Sequence, residues 1–294
     1  MYRVLSLLAG VLISVMVVFN GQLSAYAGPL PTLLIIQVVG TLLMALVLLI
    51  GRENPLHRPL KPLMYIGGLL GLLTTLFNNL AFGRISVSAM LALALLGDSL
   101  TSMLADHFGV LGMPRRPFRR QKLWGLLFTL IGIAIMLDSF ALVPVLCSLG
   151  AGFTVATSRL TNGQLARQTS VRISTFFNYL IGLVGAALVV LLTGTGMPVA
   201  QAFSGPPAGY LGAVLGVCVV LISNLVVGRI AIFDMSLAIF VGQVFMGLVM
   251  DVVLTSVFPV RSLLGGLFAL LGLIWNLWVD RKRTTGRRLA EEKA

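Results

Sequence analysis

Acidic residues are scarce in this sequence: nine Asp and Glu stand against 21 Lys and Arg in 294 residues, and charged residues of all types make up only 10% of the chain. So few charges cannot coat a soluble domain of this length, which excludes the ordinary globular class. Histidine occurs only as His57 and His107, in or beside loops. Without a cluster of histidines, cysteines and carboxylates there is no material for a metal centre. Walker loops, nucleophile elbows and Gly-rich phosphate cradles are also missing, so we expect no enzyme, no cofactor and no bound metal, and an ATP-driven pump would need its ATPase from another chain. Cys147 and Cys218 lie in apolar segments without metal-type spacing and read as small buried hydrophobes. The net charge of +12 suggests nucleic acid at first sight. No basic and aromatic platform accompanies it, however, and no nucleic-acid partner is expected.

What is present is apolar length. The chain is 58% hydrophobic, with a mean hydropathy of +1.02. Ten windows of about 20 residues, the length needed to cross a bilayer, run roughly 3–27, 31–51, 63–83, 87–108, 122–140, 143–165, 172–193, 207–228, 233–256 and 261–280. All 12 prolines fall between these windows or near their ends, where a missing N–H does least harm. Within the first window, Arg3, the apolar run Val4 to Phe19 and Ala25-Tyr26-Ala27 together imitate a signal peptide with its cleavage site. Its Asn20-Gly21-Gln22-Leu23 ending returns inside the chain as Asn162-Gly163-Gln164-Leu165, which marks it as half of a structural repeat to be retained.

That repeat organises the sequence. Gly40 matches Gly182 at the same displacement of 142 residues. Gly67, Gly71, Asn79, Leu80, Gly83, Arg84, Ile85, Gly97 and Asp106 match Gly212, Gly216, Asn224, Leu225, Gly228, Arg229, Ile230, Gly242 and Asp251 at a displacement of 145. Each copy holds five spans, an odd number, so the second enters the membrane from the opposite side. The expected fold is an all-α integral membrane protein of ten transmembrane helices, built as two inverted five-helix repeats at 1–140 and 141–280 with a basic tail at 281–294. Orientation follows from the loops. With a cytoplasmic N-terminus, 18 of the 21 basic residues lie inside, among them the run Arg115, Arg116, Arg119, Arg120 and Lys122 and the C-terminal tail. Arg84 and Arg261 fall outside, and Arg159 lies within a span. Both termini are therefore expected in the cytoplasm, with Trp124, Trp275 and Trp278 at the inner interface.

Polar residues inside the spans are the candidates for chemistry, because each is costly in hydrocarbon. Asp98 sits near the middle of the fourth window, and its counterpart in the ninth is Gln243. Thr101 and Ser102 share a helix face with Asp98 and leave room for a ligand. Asn79 and Asn224, with Asn20 and Asn162, lie nearer the ends and are placed to line half-channels leading to the centre. The structural alternatives stand beside these readings. The Gly67-x-x-x-Gly71 and Gly212-x-x-x-Gly216 pairs suit close helix contacts. The amides suit interhelical hydrogen bonds. Asp106 and Asp251 suit helix-end carboxylates paired with His107 or the basic loops, and Arg159, near the Asn162 end, can snorkel or form a salt bridge.

The run Gly10 to Leu23 with its Asn-Gly-Gln-Leu ending, Gly40, and Asp106-His107-Phe108-Gly109 followed by Pro114-Arg115-Arg116-Pro117 resemble the YdcZ-like family of the drug/metabolite transporter superfamily. The likeness covers residues 4–140, and the second half resembles a diverged second copy. It implies a multi-pass inner-membrane transporter in which two five-span units are fused. In that family the position of Asp98 typically carries Gln, as Gly242-Gln243 does here, so the resemblance implies that Asp98 is a change specific to this chain's substrate. The function expected is secondary transport, ion-coupled or facilitative, of a small polar or amine-bearing metabolite by alternating access. Its partners would be that small molecule, protons as a candidate coupling ion, and the lipid bilayer. The alternatives are a non-transporting membrane scaffold or accessory subunit, and a passive channel.

Overall fold

The computed structural model describes residues 1–55, 61–108, 120–137, 141–195, 204–205, 207–227, 229–230 and 232–291. Among these, ten α-helices follow one another: α1 (Tyr2–Ala27), α2 (Pro29–Gly51), α3 (Gly67–Ala81, entered through a short 3-10 turn at Pro62–Tyr65), α4 (Val87–Phe108), α5 (Lys122–Met136), α6 (Leu142–Gln168), α7 (Val171–Thr193), α8 (Pro207–Val226), α9 (Ile232–Thr255) and α10 (Val260–Glu291). Eight contain apolar stretches long enough to cross a membrane, and α5 and the apolar part of α10 are shorter. The protein is an all-α membrane protein of two inverted five-helix repeats.

Local chemistry explains the turns. Between α1 and α2 the chain reverses at Gly28, at φ 89, and Pro29 starts the next helix where its missing N–H costs nothing. Between α6 and α7, the Ser170 hydroxyl accepts a hydrogen bond from the Ile173 amide at 3.1 Å and caps the new helix. Apolar side chains cover the outer face of the bundle, as a lipid solvent requires: Leu42, Leu46, Leu49 and Ile50 of α2 and Val184, Leu188, Leu191 and Leu192 of α7 all face outward. Two lengths depart from the sequence windows. Helix α5 stops at Met136 rather than 140, and the backbone of α10 runs on to Glu291.

The packing has a two-fold pattern. Helix α1 lies against α8 and α9, as α6 lies against α3 and α4, while α2 pairs with α7, α4 with α9, and α5 with α10. Glycines mark the crossings in matched sets. A Cβ on Gly10 would strike the Ile239 carbonyl, and one on Gly152 would strike the carbonyl of Ala94. Likewise Gly97 abuts the Leu149 carbonyl and Gly242 that of Leu7. Gly67 abuts the Asn162 amide and Gly212 that of Asn20. These pairs superimpose under the displacements of 142 and 145, and such backbone approach is what drives helix association in lipid. Gly132 faces Gly265 in the same manner across the antiparallel α5–α10 pair, where the Trp275 indole also donates to the Gln121 carbonyl at 2.9 Å.

Asp251 has a structural role different from the loop pairing expected of it. Its carboxylate, buried at the end of α9, accepts from the Val87 amide at 2.7 Å, the Ser88 amide at 3.1 Å and the Ser88 hydroxyl. It therefore caps the N-terminus of α4 from the other repeat, satisfying amides that the helix cannot. The side chain of Asp106, the run Arg115–Arg119, the seam at 138–140 and the side chains of 281–291 lie outside the described residues.

Candidate functional site

A cavity of about 140 Å³ lies at the centre of the bundle, reached by α1, α2, α3, α4, α6, α7, α8 and α9. One wall is apolar: Ile13, Met16, Ile36, Leu91, Val219 and Val220. The other is polar: Thr74, Thr75, Asn78, Ser158, Arg159, Asn162, Asn178, Ser223 and Asn224, with Asn20, Gln37, Tyr179 and Gln243 completing the lining.

The polar wall is a connected network. Asn162 donates to the Asn178 carbonyl oxygen at 2.7 Å and to the Ser158 hydroxyl at 3.2 Å, and Ser158 in turn donates to the Gly67 carbonyl at 2.7 Å. Ser174 donates to the Asn162 carbonyl at 2.7 Å, and Asn224 donates to the Thr175 hydroxyl at 3.1 Å. Thr74 and Thr154 share a hydrogen bond at 2.8 Å across α3 and α6. Held on several sides, these groups keep their orientation without water. Asn20 and Gln37 differ, because each is buried with a side-chain carbonyl oxygen that has no partner.

Among the described residues, an ion pair at the cavity joins the repeats. Arg159 of α6 meets Asp98 of α4 at 3.3 Å, each side chain only 10% exposed. Helix α6 can approach α4 closely here because Gly152 and Gly97 lie at their crossing. Neither charge is tolerable in such surroundings alone, and the pairing makes the two neutral together. Arg159, which snorkelling or a salt bridge could have explained from sequence, makes the salt bridge.

The residues singled out from sequence separate into three groups. Asn20, Asn162, Asn224 and Gln243 line the cavity. Asp98 stands one layer behind it, reaching the cavity through Arg159. Thr101 is buried and donates to its own helix at the Gly97 carbonyl, 2.7 Å away, and neither it nor Ser102 is part of the lining. Asn79 is buried with its amide nitrogen unpartnered, while its neighbour Asn78 faces the cavity. Sequence reasoning passed over Gln37, Ser158, Asn178 and Tyr179. A signal was available for two of them: Gln37 and Tyr179 occupy equivalent positions of the repeat, three residues before Gly40 and Gly182, and each packs on the other's glycine.

The sequence profile of the family described as "Putative inner membrane exporter, YdcZ" matches the chain twice, over residues 1–135 and 143–275. No curated protein matches it. A solved structure described only as "Crystal structure of protein" has the same fold, with a TM-score of 0.66 over 96% of this chain and 98% of that one at 17% identity.

Proposed function

The chain belongs to the YdcZ family of membrane transporters, and from that premise we propose that it is a secondary transporter which moves a small polar metabolite by alternating access of the central cavity. The observation that carries this reading is the cavity itself, lined from both repeats and holding a paired charge at mid-helix depth. Residues 1–140 and 141–280 are the two moving units and 281–294 an appended basic segment. The termini face the cytoplasm, following the bias of basic loops. The substrate site comprises Asn20, Asn162, Asn224 and Gln243 at the lining and Asp98 behind Arg159. Asn79, Thr101 and Ser102 support it by packing. Protons remain candidate coupling ions through Asp98.

Transport is tested by reconstituting the purified protein in liposomes and screening a metabolite panel for counterflow. A saturable signal with trans-stimulation is expected. Conductance without saturation would make the protein a passive channel, and silence across a broad panel would make it a scaffold or accessory subunit. Orientation is tested with Arg167→Cys and Thr195→Cys: an impermeant thiol reagent added to intact cells should label only the second.

A further inference from the structure

Resting on the cavity assigned above, the geometry points to a narrower ligand class: we propose that the site binds a small zwitterion, with a carboxylate held by Arg159 and an N–H-bearing ammonium held by Asn20 and Gln37. Three observations converge on this class. The first is the guanidinium of Arg159. It carries five N–H donors in a rigid fork, and its pairing with Asp98 engages Nη1 alone, while the side chain lines the cavity. A carboxylate has the planar two-oxygen geometry that fits the unused edge of that fork. Asp98 stays on the opposite side, where it fixes the guanidinium as a positioning residue.

The second observation is the pair of uncommitted acceptors. Asn20 and Gln37 both line the cavity, both are buried, and each retains a carbonyl oxygen without a donor. A buried acceptor left empty is expensive, and a ligand ammonium with its N–H groups satisfies both. The two oxygens rest against Gly212 and Gly182, and rotation about the last side-chain torsion, which is soft in carboxamides, is the movement that turns them toward the ligand.

The third is charge balance. Asp98 and Arg159 cancel, so a bound monoanion or monocation would leave an uncompensated charge in the middle of an apolar bundle, whereas a zwitterion leaves none. The repeat explains why there is one such site and not two. The positions equivalent to Arg159 and Asp98 are Val17 and Gln243, so the pseudo-symmetric half carries no second ion pair and presents Ile13 and Met16 to an apolar substituent.

Four probes sharing one carbon chain test the idea on the purified, detergent-solubilised protein by calorimetry: 2-aminohexanoate, its N,N,N-trimethyl derivative, hexanoate and hexylamine. The expected result is saturable binding of 2-aminohexanoate, at least tenfold weaker for the trimethyl derivative, which has no N–H, and for each single-ended probe. Arg159→Gln removes the binding. Because that variant leaves Asp98 unpaired and can misfold, the double variant Asp98→Asn with Arg159→Gln is measured beside it. It keeps the centre neutral and should fold without binding the zwitterion. Hexylamine binding best, kept in Arg159→Gln and lost in Asp98→Asn, overturns the proposal in favour of a cation site, and hexanoate binding best overturns it in favour of an anion site. No binding of 2-aminohexanoate by wild-type protein that counterflows another substrate overturns this inference and leaves transport standing. Binding without counterflow in liposomes does the reverse.

Discussion

The two repeats agree at their helix crossings and differ over much of the cavity lining, where Asn20 and Asn162 are matched but most other polar positions are not. Gly10 and Gly152, Gly97 and Gly242, and Gly67 and Gly212 are the same residue in both copies because each brings one backbone against another, and any side chain would part them. Around the cavity, Met16 is the repeat equivalent of Ser158 and Ile36 that of Asn178, while Arg159 and Gln243 at the lining correspond to Val17 and Asp98 behind it. The crossing geometry must be made twice for an inverted repeat to exist. A single ligand at its centre has different ends, so matched positions around it are free to diverge. In this molecule α3, α6 and α7 bring mostly polar side chains to the lining, whereas α1 and α2 bring Ile13, Met16 and Ile36 beside Asn20 and Gln37.

The comparison breaks first, and most completely, at a crossing. Gly152→Leu and Gly10→Leu should both abolish folded protein, and should do so equally. Ordinary overpacking costs roughly 1–3 kcal/mol, but here the obstacle is a carbonyl of the facing helix, which cannot rotate aside. Monodisperse elution of either variant from a sizing column would show that the crossing is not close-packed.

The ion pair comes next. Arg159→Gln should destabilise by about 3–5 kcal/mol, the cost of leaving a buried partner charge alone. Adding Asp98→Asn to Arg159→Gln should restore most of the lost melting temperature. Additive losses in this double-mutant cycle would mean that the two side chains do not act together.

A smaller effect is expected at Asp251. Replacing it with Asn keeps one acceptor but loses the charge at the start of α4, for about 1–2 kcal/mol. The loss should appear as faster amide exchange at Val87 and Ser88. Exchange unchanged at those amides would remove the capping role. The smallest effect belongs to the pair between Arg172 of α7 and Glu53, just beyond the end of α2, which meet at 2.8 Å with half the arginine side chain exposed. Glu53→Gln should cost under about 1 kcal/mol, and less still in high salt.

Much of the fold was legible in the amino acids. The ten helices, eight of them long and apolar enough to cross a membrane, follow from apolar length, and the inversion from matched motifs in copies with an odd number of spans. Less of the candidate site was legible. Asp98 stands out along the chain because a lone carboxylate in hydrocarbon is anomalous, but its partner Arg159 lies 61 residues away, on a helix of the other repeat. Gln37 and Asn178 sit in long apolar runs where a single amide reads equally as packing. Asp251 looked like a helix-end charge destined for the loops, and only the placement of α9 beside α4 directs it to the Val87 and Ser88 amides.

The sequence by itself determined the solvent, the number of crossings and the two-copy architecture, because these depend on hydrophobic length and on patterns that recur along the chain. The tertiary structure alone decided which polar residues face the cavity, which face each other, and that the mid-membrane carboxylate is neutralised by an arginine of the opposite repeat. Those outcomes depend on helix rotation and on crossing points. They are set by where glycine lets two backbones meet, and that is a property of pairs of helices.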